Sequence, residues 1–176
     1  REGSLRVAES ADELDDCRAQ LAAMQADGLP AEWYRGPEGE GLLIPTDGVF
    51  QPMRRCRELA ERAVARGARL YEHSAALEIA ADGVVTANGS VMCGAVIVAV
   101  DGRLELLLPE LTGRVRTARL QMLATAPTDE MRTRFAVYSR YGYEYWQQLD
   151  DGRVALGGMR DRGGEGEWTD LAEPAE

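Results

Sequence analysis

One central stretch, residues 52–102, carries two different periods of hydrophobic and polar positions, and the rest of the chain is organised around it. Its first apolar residues recur at three- and four-residue steps, which places them on one face of a helix: Met53, Cys56, Leu59, Ala60 and Ala63. Pro52 suits a first helical position and Gly67 suits a helix stop. The pattern predicts an amphipathic helix that begins at Pro52 and ends before Gly67.

Short strands are predicted after this helix, at residues 69–72, 76–80, 84–87 and 90–92, with the turn dipeptides Asp82-Gly83 and Asn88-Gly89 between the later ones. Residues 96–100 follow, a run of five apolar residues typical of a strand buried on both faces. Helix, strands and buried strand together predict the middle of a parallel α/β layer whose first strand is not in the chain. The functional interpretation below depends on that burial.

The pattern before this stretch predicts a strand at residues 4–8 and a helix after it. Ser10 fits the helix cap and Glu13 fits the residue that reaches back to it. The helix carries an apolar stripe that ends near Gly28, and it is followed by a connector, a glycine-rich loop at 36–41 and a short strand at 42–44.

The last third of the chain changes to an alternating pattern. It predicts a long extended run at 114–125 and strands at 135–139, 143–149 and 153–157, which together form an antiparallel sheet. Residues 160–176 are acidic and glycine-rich, which predicts a loose tail with Trp168 as its large anchor. We therefore expect an incomplete α+β fold, and we take the chain, which starts without Met, as an excerpt or a truncated product.

Composition excludes several classes of function. The net charge of −10 argues against nucleic acid and anionic membranes as partners. All 20 basic residues are Arg, which excludes a lysine Schiff base. Cys17, Cys56 and Cys93 form no CxxC pair, and they favour a reducing cytoplasm. The sequence shows no metal-ligand spacing, and the single His73 is poor support for a catalytic triad.

Residues with unusual chemistry cluster late in the chain: Arg140, Tyr143, Tyr145, Trp146 and Gln148. A guanidinium pairs with a carboxylate and aromatic rings exclude water, so this set could wall a pocket for a small amine-bearing acid. In a strand Tyr141, Tyr143 and Tyr145 would share one face, with Trp146 and Gln148 on the other. An ordinary sheet with cross-strand aromatic pairs explains the same pattern, and spacing alone leaves both explanations open.

The order of these elements resembles the central part of the FAD-dependent oxidoreductases related to D-amino-acid oxidase, glycine oxidase and sarcosine oxidase. The likeness is carried by residues 47–52, the helix after them, residues 67–70, Glu72, Ser74 and the 96–100 run, and it extends more weakly over nearly all 176 residues. It implies that 1–47 and 113–159 belong to a substrate domain and 48–112 to an FAD-binding domain. It also implies that the corresponding sheet forms one wall of the substrate cavity, facing the flavin.

For the cofactor, the resemblance implies contacts at Ala76 and at the end of the predicted buried strand, Ala99, Val100, Asp101 and Gly102. Asp101 stands where the family usually has glycine, and no GxGxxG occurs in the chain. We therefore expect FAD in the intact parent and weak or no FAD binding by this chain alone. The implied reaction is hydride transfer to FAD from a small amine or amino acid. The alternative is a non-catalytic truncated homologue that binds a small ligand or a partner chain, and the sequence leaves the oligomeric state open.

Overall fold

The computed structural model describes residues 2–171 and 173. Its helices are α1 (Ala11–Ala26) and α2 (Pro52–Ala65), and its strands are β1 (Glu2–Val7), β2 (Glu32–Gly36), β3 (Gly39–Gly48), β4 (Ala76–Ala80), β5 (Gly83–Thr86), β6 (Gly89–Met92), β7 (Met122–Ala124), β8 (Ala136–Ser139), β9 (Glu144–Gln148) and β10 (Val154–Gly158). Short 3₁₀ segments lie at Leu104–Leu106, Pro109–Leu111, Arg140–Gly142 and Gly164–Glu167. This is an α+β fold, as the sequence predicts.

The described residues form two compact units. The first contains the chain up to residue 50 and residues 120–167, and the second contains 51–119, 168–171 and 173. In the first unit seven strands form one sheet in the order β2-β3-β1-β8-β9-β10-β7. Only β1 and β8 run parallel within it, and all other neighbours among the described strands are antiparallel.

Helix α1 covers one face of this sheet. Cys17 and Leu42 are fully buried in the cluster between them, and Ala31 joins it. Arg6 on β1 is almost fully buried on this face and forms an ion pair with Asp16 (2.5 Å) in α1. A buried guanidinium needs such a partner because an unpaired buried charge is costly. The pair therefore fixes the helix over the middle of the sheet.

The opposite face of the sheet carries a second cluster of buried side chains. Leu5, Val7, Phe135 and Val137 form its centre, and Trp146 packs against them. Cross-strand partners make this face continuous, because Leu5 lies opposite Val137, Val137 opposite Trp146, Trp146 opposite Leu156 and Leu156 opposite Leu123. This row leads directly to the candidate site.

The second unit contains α2 and a small antiparallel sheet in the order β4-β5-β6. The predicted limits of α2 are confirmed, since Pro52 is its first residue and Gly67 follows its end with a φ of +95°. None of the residues of α2 is buried within the described part of the chain. The apolar stripe that predicts the helix is therefore exposed, with Met53 at 57% and Leu59 at 48%.

The prediction of a buried strand at residues 96–100 is wrong. These residues form no strand, and Ile97 is 91% exposed. A strand that is buried on both faces needs neighbouring strands, and no strand of the described residues pairs with this run. The predicted strand at 69–72 is also absent, because the backbone there is irregular and turns. A hydrophobic run predicts burial only where partner strands are present to cover it.

Strand limits also differ from prediction in the first unit. The long run predicted at 114–125 contains only the three-residue strand β7. The segment predicted as a connector around Trp33 is strand β2, and β3 extends over ten residues where a short strand was expected. These strands depend on pairing between β2 and β3, which a local pattern does not reveal. In the stretch expected as a loose tail, Gly164–Glu167 is ordered and the side chain of Glu167 is buried.

Candidate functional site

The β9–β10 hairpin positions the aromatic residues that the sequence singles out. Asp151 and Gly152 lie in its turn, and the strands pair with Trp146 opposite Leu156 and Tyr145 opposite Gly157. A Cβ on Gly157 would lie 2.3 Å from Cε2 of Tyr145, so this ring fits only over a glycine. Alternation along β9 therefore sends Trp146 to the face with the second buried cluster and Tyr145 to the α1 face.

An open cavity of about 700 Å³ lies at the edge of the sheet formed by β7, β9 and β10. Its walls are mostly apolar, and two of the predicted site residues, Tyr145 and Trp146, line it. The other lining residues include Leu123, Leu156 and Met159, with Glu9 and Glu144 as carboxylates. Such a site, apolar with a few polar groups, is typical of small-molecule binding.

The indole of Trp146, a residue that lines this cavity, contains an unusual polar atom. Its Nε1–H is buried and has no hydrogen-bond partner among the described residues. An indole nitrogen is a donor only, and leaving it unpaired in an apolar environment costs roughly 1–3 kcal/mol. A ligand carbonyl or carboxylate oxygen would satisfy this donor only after a shift of the side chain or its neighbours, because the nitrogen is buried.

Arg140 lies outside this cavity and is already paired. It forms ion pairs with Glu144 (2.5 Å) and with Asp161, in a neighbouring cavity of about 430 Å³ that Tyr143 also lines. The hydrogen bond that Arg140 donates to Glu144 is the main reason why the pKa of Arg140 is raised further above its ordinary value. The structure thus places Arg140 and Tyr143 beside the Trp146 cavity rather than in it, and their contact with a substrate stays a prediction.

The turn that contains Arg140 has an unusual backbone. Arg140, Tyr141 and Gly142 have φ values of +47°, +56° and +87°, all left-handed. For a residue other than glycine this conformation costs roughly 1–2 kcal/mol. The turn precedes β9, so the expectation that Tyr141, Tyr143 and Tyr145 share one strand face is wrong. Strained backbone of this kind clusters at functional sites.

Gln148 lies away from both cavities. Its side-chain amide donates to the backbone oxygens of Thr128 (3.0 Å) and Gly152 (3.3 Å), and its side chain is buried. It lines a third cavity of about 590 Å³ at the other end of the sheet. These bonds hold the β9–β10 turn, and the substrate contact predicted for Gln148 remains untested.

The residues predicted for the cofactor lie in the second unit. Ala76 is half-buried at the start of β4, whereas Ala99 and Val100 are exposed. Asp101, at the position where the resemblance expects glycine, has a φ of +64°, a left-handed conformation that aspartate tolerates better than most residues. A Cβ on Gly102 would lie 2.9 Å from Oγ1 of Thr117. The backbone at 101 therefore keeps a glycine-like conformation, and the cofactor contact stays a prediction.

The residues present fit the FAD implied by the resemblance at one end only. The unpaired indole donor on an apolar face suits a ring with carbonyl acceptors. The pyrophosphate requires a glycine-rich turn that leads from a strand into a helix. The connection from β1 to α1 runs through Ala8, Glu9 and Ser10 and contains no glycine. This connection therefore supplies no glycine turn for the phosphates, and the placement of the reacting end against the β9–β10 hairpin stays a prediction.

Sequence reasoning missed several residues that line the Trp146 cavity. Leu123, Leu156 and Met159 come from β7 and from the end of β10, and only the register of β10 with its two neighbours brings them together. Glu9 comes from the connection between β1 and α1, more than a hundred residues away in sequence. No group of three or more potential metal ligands occurs among the described residues. In the same residues, every helix is too short or too polar to cross a bilayer.

Comparison with known proteins agrees with this fold. Residues 1–176 match the family described as FAD dependent oxidoreductase. Among solved structures, the chain is similar to glycine oxidase from Geobacillus kaustophilus, with a TM-score of 0.70, 19% sequence identity and coverage of 95% of this chain and 52% of that one. The chain thus spans about half the length of that oxidase. A search of curated proteins gives no match. Because the family match covers the whole sequence, the chain belongs to the FAD-dependent oxidoreductase family.

Proposed function

We propose that this chain is the central part of an oxidoreductase that oxidises a small amine or amino acid, and that the Trp146 cavity is its substrate site. The observation that carries the proposal is the mostly apolar cavity that Tyr145 and Trp146 line, with the buried, unpaired indole N–H of Trp146 in one of its lining residues. The glycine oxidase fold supports it, although the likeness at 19% identity concerns the fold alone. In this proposal residues 1–47 and 113–159 are part of a substrate domain, and residues 48–112 are part of an FAD-binding domain.

The residues of the cavity would bind and orient the substrate. Leu123 and Leu156 exclude water from the apolar part of the substrate, which strengthens every polar contact nearby. Trp146 donates its N–H to a substrate oxygen or a ring carbonyl. FAD, when bound, would accept a hydride from the carbon next to the substrate nitrogen, which is the chemistry of the cofactor rather than of the protein. The free thiols of Cys17, Cys56 and Cys93 support a reducing compartment such as the cytoplasm for this protein.

The test uses the full-length product of the gene, purified with added FAD. We expect it to be yellow, and we expect one member of a panel of small amines and amino acids to bleach the flavin without oxygen. Trp146→Phe removes the indole donor and keeps an aromatic ring, so KM for that substrate should rise about tenfold, the loss of one hydrogen bond to a charged or polar group. If the full-length product takes up no flavin, or if no amine or amino acid reduces it, the proposal is wrong.

Trp33→Phe is the matched control for this substitution. Its indole Nε1–H donates to Glu40 (3.1 Å) on the α1 face of the sheet, so the same donor is removed away from the cavity. We expect Trp33→Phe to change KM less than twofold, since it alters stability and not the site. Equal KM values for the two variants would show that the cavity does not bind the substrate.

A second candidate function is a non-catalytic module that binds a small ligand through the same cavity. The observation that favours it is that neither connection from a strand to a helix, before α1 or before α2, contains a GxGxxG turn. The two functions differ in a simple result. A full-length product that binds an amine, with a change in tryptophan fluorescence, but never retains flavin would support the second one.

A further inference from the structure

Glu13 is a buried carboxylate that the proposed chemistry does not use. Its side chain lies near the start of α1 and is only 3% exposed. The two carboxylate oxygens accept hydrogen bonds from different parts of the chain. Oε2 accepts from the backbone N–H of Glu9 (2.9 Å), and Oε1 accepts from the backbone N–H of Tyr141 (2.9 Å), 128 residues away. The first bond belongs to the helix cap predicted from the sequence, in which Ser10 accepts from the N–H of Glu13.

The second bond is the informative one, because it ends in the strained turn. Tyr141 is the middle residue of the left-handed turn Arg140–Gly142, and glycine does not stand at its first two positions. An ordinary residue stays in this conformation only where surrounding contacts hold it. The Glu13 carboxylate holds the middle residue by accepting from the backbone N–H of Tyr141. The first residue, Arg140, is held by its ion pairs with Glu144 and Asp161.

The turn leads without a break into the wall of the Trp146 cavity. Tyr143 follows it, and the backbone oxygen of Tyr143 accepts from the N–H of Met159 (2.8 Å), a residue that lines the cavity. Glu144, Tyr145 and Trp146 come next and line the cavity themselves. The conformation of the turn therefore sets where β9 begins and how its first residues face the cavity.

We propose that Glu13 is a positioning residue for the Trp146 cavity: it ties the start of α1 to the left-handed turn Arg140–Gly142 and so fixes the aromatic wall. The proposal rests on the proposed function insofar as this wall contacts a substrate. Its geometric part concerns only residues of the first unit and can be tested without flavin or substrate.

Glu13→Gln is the decisive substitution. Glutamine also serves in this type of helix cap, so α1 should stay capped. Its side chain, however, has one acceptor oxygen and one NH₂ group. It can therefore accept from the N–H of Glu9 or from that of Tyr141, and its NH₂ group faces the remaining N–H, donor to donor. Asp12→Asn is the matched control, because it removes the same charge from the same helical turn at an exposed position.

The first readout is the exposure of Trp146 in a chain that carries Trp33→Phe and Trp168→Phe, which leaves Trp146 as the single tryptophan. We expect Glu13→Gln to raise the acrylamide quenching constant of Trp146 about twofold through local opening of the wall, and Asp12→Asn to leave it unchanged. A role limited to the helix cap would lower Tm and leave this quenching as it is. Equal quenching in the two variants would overturn the proposal.

Tyr141→Gly gives a rescue. Glycine adopts the left-handed conformation without strain, so the turn no longer needs the hydrogen bond from the backbone N–H of residue 141 to Glu13. We expect the double variant Glu13→Gln with Tyr141→Gly to return the quenching of Trp146 close to that of the parent. If Trp146 is quenched as strongly in the double variant as in Glu13→Gln alone, the argument from backbone strain is contradicted.

The second readout is kinetic and uses the full-length product with the substrate found for it. Glu13→Gln should raise KM about tenfold, because small displacements of positioning groups weaken substrate contacts strongly, with flavin content unchanged. If the full-length product proves to bind no flavin, the proposed function fails while the quenching result still decides the role of Glu13. If flavin binds and KM and quenching both stay at parent values, only the role of Glu13 is refuted.

Discussion

Glu38 sits beyond strand β2, where its carboxylate accepts from the hydroxyls of Tyr34 and of Thr133 (2.9 Å). The hydrogen bond from Tyr34 to this carboxylate, with burial and the nearby charge adding to it, raises the pKa of Tyr34 to about 12. An unfolded tyrosine ionises at about pH 10. The folded-state pKa therefore lies above the unfolded one, so the contribution of this bond to stability is complete below about pH 10 and is lost as the pH rises toward 12.

Tyr34→Phe tests this pair at the scale of single residues. We expect the free energy of unfolding at pH 8 to fall by about 1 kcal/mol, as for one hydrogen bond. The loss of stability between pH 10 and 12 should become smaller, and phenolate absorbance should lose the group that titrates near 12. Tyr71→Phe, at a side chain 60% exposed in the second unit, is the control. Identical alkaline titrations for the two variants would contradict the assigned pKa.

At this scale, local patterns in the sequence predict well and distant contacts do not. The Ser10 and Glu13 cap is read from four adjacent positions and is present, although the Glu13 carboxylate accepts from the backbone N–H of Glu9 rather than from that of Ser10. The contact of Glu13 with Tyr141 joins residues 128 positions apart, and no local pattern signals it. Residue chemistry alone proposed Arg140 for a substrate carboxylate, whereas the fold pairs its guanidinium with Glu144 and Asp161.

At the scale of elements, Gly158 controls how β10 ends beside β9. A Cβ at this position would lie 2.2 Å from the backbone oxygen of Tyr143, and its φ is +137°. We therefore expect Gly158→Ala to lower the free energy of unfolding by more than about 1 kcal/mol, since neither the space nor the conformation suits alanine. Urea unfolding measures the change. Gly94→Ala, where a Cβ meets nothing within 4 Å, should cost far less, and a similar cost at both positions would refute the argument.

Helices were easier to predict than strands for a physical reason. The limits of α2 follow from Pro52, Gly67 and a period of apolar residues, all of which are local. Strands form by pairing, so β2 and the full length of β3 emerge only from their mutual register. The run at 96–100 shows the converse, because strong β-propensity gives no strand where the described residues supply no partner. The buried-strand argument for the family therefore fails, whereas the family assignment itself is shown by the match over the whole chain.

At the scale of the whole molecule, the family predicts FAD binding, whereas the local sequence lacks the glycine turn that usually binds the pyrophosphate. The chain belongs to a family of FAD-dependent oxidoreductases, yet among the described residues neither the connection before α1 nor the one before α2 carries the glycines that let a pyrophosphate approach a helix N-terminus. Its net charge of −10 adds a long-range field that disfavours an anionic ligand. The proposed substrate wall in the first unit needs no such glycines, so substrate contact and tight cofactor binding are separate requirements.

We therefore expect the 176-residue chain by itself to lose added FAD on dialysis and to show no flavin absorbance afterwards. Glycine oxidase from Geobacillus kaustophilus, carried through the same dialysis, is the reference, because it has the same fold over 95% of this chain and roughly as much chain again. Loss of FAD must occur while the chain stays folded, which far-UV circular dichroism before and after dialysis establishes. Should the folded chain keep one FAD per molecule, the pyrophosphate must be held by groups other than a glycine turn. Protection of backbone amides from hydrogen exchange in the presence of FAD would then locate them.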